Sequence, residues 1–116
     1  MSISVLAISF DAHHAARLAQ FWAQALQRTL NDGATEEFAS IAADAGLGAV
    51  VMFHKVPEDK TVKNRLHFDL QASDVVAEAN RLTSLGAKQI RSLSENSNRW
   101  ISFTDPEGNE FDLVAR

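Results

Sequence analysis

An internal repeat is the feature that most limits the folds open to this 116-residue chain. In each half, a strand-like run is followed by apolar residues at helical spacing and then by short strand-like runs. Strands are predicted at residues 5–10, 37–43 and 49–54 in the first half, and at 66–70, 88–91, 100–103 and 109–114 in the second. Two βαβββ units of about sixty residues each, in an α+β fold, are the simplest account.

Each half also carries the signals of one amphipathic helix. Apolar residues recur from Leu18 to Leu26 at i, i+3, i+4, i+7 and i+8, which is the spacing of one helix face. The two histidines before this stripe are expected to have capping or surface roles. In the second half Ser73 or Asp74 is predicted to cap a helix that ends at Leu85, with Gly86 as its C′ residue.

A tight turn at Asp105-Pro-Glu-Gly108 fixes the direction of the last strand. Proline presets φ, and Gly108 is predicted to adopt a positive φ. Phe111 and Leu113 then alternate with Glu110 and Asp112, as a sheet with two different faces requires. Glu110 is therefore a carboxylate aimed by the backbone.

Several segments resemble the glyoxalase/bleomycin-resistance/extradiol-dioxygenase group, the vicinal oxygen chelate superfamily. They are NRLHFDL at 64–70, DPEGNEFDL at 105–113 and FDAHHAARLAQFWAQAL at 10–26. The resemblance covers nearly the whole chain and is poorest at 27–48. It implies one glyoxalase-like domain over residues 1–116, with repeats at about 1–57 and 64–116 and with curved mixed sheets.

The resemblance also implies where metal ligands would lie. Metal-dependent members typically use a His and a Glu from each half. His67 and Glu110 match in the second half, whereas offsets of about sixty and about fifty-eight residues place Ala7 and Met52 opposite them. Those two side chains cannot bind a hard divalent cation. An incomplete site is expected, with no cofactor or at most a divalent metal, to which a ring nitrogen of His54 could add a third ligand.

His54, His67, Trp100 and Glu110 are the predicted ligand-binding residues, and no catalytic residue is assigned. Each has a simpler interpretation. His67 could be a hydrogen-bonded structural residue, His54 an exposed strand-end residue, and Trp100 a loop-edge aromatic. Glu110 could be solvated or paired with Arg99.

Two further acids belong to the same pattern. Strand alternation places Asp69 on the face of His67 and Asp112 on the face of Glu110. Carboxylates and imidazoles grouped in this way shift one another's pKa values and suit acid–base chemistry.

Composition excludes several classes of function. A net charge of −4 with scattered basic residues argues against nucleic acid as a partner. The absence of cysteine excludes disulfides and thiolate chemistry. No apolar run approaches the length of a membrane span, and the N-terminus lacks the basic start of a signal peptide, so a cytoplasmic location is expected.

Three hypotheses remain. The first is a small-molecule-binding module of the bleomycin-resistance type, with Phe53, Trp100 and Phe103 near a cavity. The second is a metal-dependent lyase, isomerase or dioxygenase using His67, Glu110 and possibly His54. The third is an accessory protein with a decayed site.

A homodimer is expected, because short sheets with open edges tend to be covered by another chain. The first strand, Ser4 to Phe10, is mostly apolar and could pair across a twofold axis. A monomer whose halves close one groove is the competing interpretation.

Overall fold

A computed structural model describes residues 2–95 and 98–115. The chain divides into two compact units, Met1–Asp59 and Lys60–Arg116. No helix among the described residues is long and apolar enough to cross a membrane.

The first unit contains one helix and a three-stranded sheet. Its elements are β1 (Ala7–Ala12), α1 (Ala15–Leu26), β2 (Phe38–Ile41) and β3 (Val50–Lys55). The strand order is β1-β3-β2, with β1 parallel and β2 antiparallel to β3. A single antiparallel bridge joins Leu30 to Ile41 at the outer side of β2. The βαβββ plan is therefore present, with one strand reduced to this bridge.

The second unit has the same plan in a fuller form. Its elements are β4 (Asp69–Ala72), α2 (Val75–Leu85), β5 (Lys88–Glu95), β6 (Asn98–Thr104) and β7 (Glu110–Ala115). The strand order is β4-β7-β6-β5, with only the β4–β7 pair parallel among the described pairs. The predicted α+β class and the two βαβββ-like halves are confirmed.

Local capping signals explain where the helices begin and end. At α2, the Asp74 carboxylate accepts the backbone N–H of Ala77 at 3.1 Å, and Gly86 has φ 122° at the other end. At α1, the His14 ring accepts the backbone N–H of Arg17 at 3.2 Å. The predicted caps are confirmed, with Asp74 rather than Ser73 as the N-cap residue.

Aromatic rings form the core of each unit. In the first, the Phe10 ring lies 5.0 Å from that of Phe53 and 5.7 Å from that of Trp22 on α1. In the second, Phe103 and Phe111 stack with centroids 5.3 Å apart. Phe53 and Phe103 are fully buried, and their place near a ligand cavity stays a prediction. Both belong to strand faces that pack against helices.

A buried arginine secures the connection between β2 and β3. The Arg28 guanidinium donates to the carbonyls of Ala42 and Ala49, and its Nε lies 3.6 Å from a carboxylate oxygen of Asp44. The Asp44 side chain in turn accepts the backbone N–H groups of Gly46 and Leu47. These contacts hold the alanine- and glycine-rich loop that joins β2 to β3.

Candidate functional site

The second sheet has one face toward α2 and one face directed away from it. Ile101, Phe103, Phe111 and Leu113 alternate onto the helix side and are buried. The opposite side is called here the helix-distal face. Register and alternation place on it Asp69, Gln71, Trp100, Ser102, Thr104, Glu110, Asp112 and Val114.

An imidazole and two carboxylates come together at the edge of this face. The parallel register pairs Asp69 with Asp112, and the Nδ1 of His67 lies 3.2 Å from an Oδ1 of Asp69. One ligand atom from each of His67, Asp69 and Asp112 lies within 4.8 Å of the others. Ser102 is buried and donates its hydroxyl to Asp112 Oδ1 at 2.6 Å. The predicted association of Asp69 with His67 is confirmed.

His67 itself lies before the strand rather than within it. The prediction placed a strand at 66–70, but β4 begins at Asp69. Leu66, expected on the apolar side, is 69% exposed. The side chain of Asn64 donates to the Leu66 carbonyl, so the chain forms a local turn where the alternation pattern indicated an extended strand.

Three hydrogen bonds join Glu110 to Asn64. The Glu110 N–H donates to Asn64 Oδ1 at 2.7 Å, and the Glu110 carbonyl accepts from Asn64 Nδ2 at 3.2 Å. The Asn64 N–H donates to Glu110 Oε1 at 3.1 Å. The start of β7 is therefore tied to the segment before β4, and the direction of the carboxylate is fixed.

Lys60 supplies the positive charge beside this carboxylate. Its Nζ lies 3.2 Å from Glu110 Oε1 and 3.4 Å from Oε2, and it also donates to the Val62 carbonyl. Burial would raise the pKa of Glu110, but hydrogen bonds from the Asn64 N–H, its own N–H and Lys60 together lower it. Among the described contacts, the ion-pair partner of Glu110 is Lys60 rather than the suggested Arg99.

The turn before β7 has the predicted backbone form. Asp105 Oδ1 accepts the N–H groups of Glu107 and Asn109, at 2.9 and 3.0 Å. Gly108 has φ 90°, which confirms its predicted positive φ. The turn thus delivers Glu110 to the helix-distal face in a fixed register.

The other predicted aromatic on this sheet is Trp100. It lies on β6, half-buried, opposite Val114 of β7 and Leu93 of β5. Ser102 and Asp112 are paired one row further along the same two strands, on the same face. Trp100 therefore shares this face with the group of His67, Asp69 and Asp112. The structure therefore brings His67, Trp100 and Glu110 to one side of one sheet.

His54 belongs to the first unit. It is exposed on β3, on the same helix-distal side as Met52, as predicted from the alternation. The register places Asp11 of β1 and Phe38 of β2 on either side of it. The rings of Phe38 and His54 are 5.2 Å apart. This row joins an imidazole, a phenyl ring and a carboxylate.

The two parallel strand pairs have the same register. Val50 lies 43 residues after its partner Ala7, and Asp112 lies 43 residues after its partner Asp69. The offsets of sixty and fifty-eight residues used to compare the halves therefore cannot both hold. With an offset of sixty, the first-unit positions that correspond to His67 and Glu110 are Ala7 and Val50. With an offset of fifty-eight, they are Ser9 and Met52. Neither row contains an imidazole or a carboxylate.

Four residues at these sites were not found from the sequence. Asn64 and Lys60 contact Glu110 across about fifty positions, and such long-range contacts leave no local pattern. Ser102 and Phe38 lie in strand-like runs, where alternation with the residues opposite them could have indicated their faces.

The comparisons with known proteins agree with this architecture. A family model described as a glyoxalase-like domain matches residues 7–114. Comparison with curated protein sequences finds no match.

Solved structures with the same fold include proteins of several activities. A glyoxalase/bleomycin resistance protein/dioxygenase family enzyme from Burkholderia phytofirmans is 13% identical, with TM-score 0.79 and coverage of 97% of this chain and 98% of that one. The fosfomycin resistance protein FosX from Listeria monocytogenes, solved with Mn(II), is 16% identical, with TM-score 0.76 and coverage of 99% and 91%. An oxidase, ChaP-H2, is 16% identical, with TM-score 0.72 and coverage of 100% and 95%.

At these identities the structural likeness concerns the fold, whereas the family model matches nearly the whole chain. The chain belongs to the glyoxalase-like domain family of the vicinal oxygen chelate superfamily.

Proposed function

We propose that this protein is a metal-independent small-molecule-binding module of the bleomycin-resistance type. The observation that carries the proposal is the grouping of Trp100 with His67, Asp69 and Asp112 on the helix-distal face of the second sheet. An aromatic surface beside a few convergent polar groups is typical of small-molecule sites.

The chemistry of this face favours one class of ligand. The half-buried Trp100 indole offers apolar area for a planar ring. Asp69 and Asp112 offer carboxylate oxygens, which accept hydrogen bonds from amines. Ser102 fixes the orientation of Asp112. The proposed ligand is an aromatic molecule that carries an amino group.

The remaining predicted contacts have different places in this proposal. His54, with the ring of Phe38 beside it, provides a second aromatic surface on the first unit. Glu110 is engaged by Lys60 and Asn64, so its proposed role is to hold the loop that precedes His67.

Two observations support independence from metal. The first-unit rows that correspond to His67 and Glu110 contain no ligating side chain. In the second unit the carboxylate of Glu110 already has a cationic partner. The residues present therefore do not fit the four-ligand set of metal-dependent relatives.

One observation favours a different function. His67, Asp69 and Asp112 bring three possible ligand atoms within 4.8 Å, although they are only part of what a catalytic centre needs. A metal-dependent lyase, isomerase or dioxygenase is the second candidate. In such an enzyme a divalent ion would act as a Lewis acid toward substrate oxygens.

We also propose that the protein acts as a cytoplasmic homodimer built from a single domain over residues 1–116. Exposed Ile3, Val5 and Leu6 precede the edge strand β1 and provide apolar area for a second copy. Light scattering should give about twice the mass of the 12.7 kDa chain. A mass near that of one chain would contradict the dimer.

Binding to chelator-treated protein tests the main proposal. Titration calorimetry with bleomycin and a set of simple aromatic amines should detect a ligand without added metal. Trp100→Ala and Asp112→Asn should each weaken binding by roughly tenfold, the usual scale for an anchoring contact. Val76→Ala, which alters an exposed position on α2, is the matched control and should bind like the wild type. Binding that requires Mn²⁺, or that Trp100→Ala leaves unchanged, would contradict the proposal.

A further inference from the structure

We infer that the Lys60 ammonium group is a built-in cation that occupies the position a metal ion would take at Glu110. This inference rests on the proposed metal-independent function and supplies a physical reason for it. It assigns to Lys60 a role in cation selectivity, and it makes the segment from Lys60 to Asn64 part of the site.

The contacts of Glu110 leave little freedom for another cation. Oε1 lies 3.2 Å from the Lys60 Nζ and 3.1 Å from the Asn64 nitrogen, and Oε2 lies 3.4 Å from the same Nζ. One ammonium group is therefore within reach of both carboxylate oxygens. A divalent ion that bound Glu110 would have to use the same oxygens and would lie close to a like charge.

The position of the ammonium group is determined by several contacts. The Lys60 side chain is 24% exposed and that of Glu110 is 27% exposed, so both are largely removed from water. Lys60 Nζ also donates to the Val62 carbonyl, which closes a small loop around the charge. Asn64 ties that loop to both the N–H and the carbonyl of Glu110. The pair is thus positioned by the chain and is not a loose surface contact.

Electrostatic balance leads to the same conclusion. A carboxylate that is partly buried is stabilised when a cation lies beside it. In this protein the cation is covalently part of the chain, so the charge of Glu110 is compensated at any metal concentration. The ligand atoms that relatives offer to a metal are here satisfied by an ion pair and hydrogen bonds.

Removal of the ammonium charge tests the inference. The variant Lys60→Met keeps an unbranched apolar stem but removes the charge, and Lys60→Arg keeps a charge. Lys63→Met is the matched control, because Lys63 is an exposed lysine in the same loop. Mn²⁺ is titrated into each chelator-treated protein, and free Mn²⁺ is followed by electron paramagnetic resonance. Circular dichroism checks folding, and Lys60→Gln replaces Lys60→Met if the latter does not fold.

Lys60→Met should bind Mn²⁺ roughly tenfold or more tightly than the wild type, because a like charge has been removed. The gain should disappear in Lys60→Met/Glu110→Gln, and Lys60→Arg and Lys63→Met should behave like the wild type. No gain in the folded neutral variant, or a gain that survives Glu110→Gln, would overturn the inference.

The same titration separates this inference from the proposed function. Tight Mn²⁺ binding by the wild type that is lost in Asp69→Asn or Asp112→Asn would contradict metal independence. The inference about Lys60 would then still stand if Lys60→Met gained a second Mn²⁺ through Glu110.

Discussion

The two parallel strand pairs, β1–β3 and β4–β7, have the same register but carry different chemistry. Partners are 43 residues apart in both. In the second pair the rows contain Asp69 with Asp112 and, next to them, His67 and Glu110. In the first pair the corresponding rows are Ala7 with Val50 and Ser9 with Met52, and an imidazole and a carboxylate lie one row further along, where Asp11 pairs with His54. The repeat therefore preserves the backbone and not the side chains that face away from the helix.

The helix-facing sides of the two sheets, by contrast, use similar chemistry. Each has a pair of stacked phenyl rings, Phe10 with Phe53 and Phe103 with Phe111. Packing against a helix requires large apolar side chains in both halves, whereas the opposite face has no such requirement. Differences between the halves are consequently concentrated where a ligand could bind, and substitutions on the two faces should have different effects.

The largest loss of stability is expected for a substitution on the helix-facing side of the second sheet. Phe103→Ala should lower the free energy of unfolding by about 3–5 kcal/mol, the range for removing a buried ring. Trp100→Ala, on the other face of the same strand, should cost about 1 kcal/mol or less. Urea denaturation followed by circular dichroism measures both. Equal losses would show that the two faces are not divided as described.

A smaller effect is expected at the turn before β7. Gly108 has φ 90°, so Gly108→Val should destabilise the protein by about 1–3 kcal/mol through backbone strain. Gly48, in the first unit, has no positive φ and has open space at the Cβ position. Gly48→Val is therefore the control and should change the melting temperature little. An unchanged melting temperature in Gly108→Val would be evidence against the strained turn.

The ion pair at Glu110 should appear in the dependence of stability on pH. The pKa of Glu110 is lower in the folded state than its ordinary value, so the folded state binds this proton less readily. Its contribution, about 1 kcal/mol for such hydrogen bonds, is present above pH ~4.3 and is lost as the pH falls through the folded-state pKa.

Glu110→Gln should therefore be less stable at pH 7 and should lose less stability on acidification. Unfolding free energies from pH 7 to pH 3 compare it with the wild type. Glu36→Gln is the control, because the pKa of Glu36 is also lowered but its ion pair with Lys55 lies at the surface of the first unit. Its unfolding free energies should differ from those of the wild type less than those of Glu110→Gln do. Curves for Glu110→Gln and wild type that remain parallel through the acid range would refute the assignment.

The smallest effect on stability is expected at His54. It is exposed, and its ring contact with Phe38 is partly solvated, so His54→Ala should change the free energy of unfolding by about 0.5 kcal/mol or less. If the first unit also contributes a binding surface, the same variant should weaken ligand affinity. A loss of stability above about 1 kcal/mol would assign His54 a structural role instead.

Sequence patterns were sufficient where the determinants are local. The Asp74 cap, the Gly86 terminus and the Gly108 turn depend on residues within a few positions, and all three were predicted. The start of β4 was not predicted correctly, because the Asn64 side chain makes hydrogen bonds to Glu110 and Leu66. These hydrogen bonds favour a turn where the alternation of residues indicated an extended strand.

The assignment of faces was reliable only where polar and apolar residues alternate. Glu110 to Leu113 alternates, and its faces are as predicted. Val50 to Phe53 is apolar at every position, so the sequence could not show that Phe53 packs against α1 and Met52 does not. The partner of Glu110 could not be found either, since Lys60 is fifty residues away.

The position of β7 has a consequence for the order in which the second unit can form. Although β7 is the last strand of the chain, it lies between β4 and β6. Until it emerges during synthesis, β4 has no described neighbour in the sheet and Asn64 has no Glu110 to bind. Such pairing between distant segments slows folding and leaves strand edges exposed meanwhile. A ribosome-bound chain shortened before Glu110 should therefore remain sensitive to protease in its second unit while α1 and its sheet are already protected.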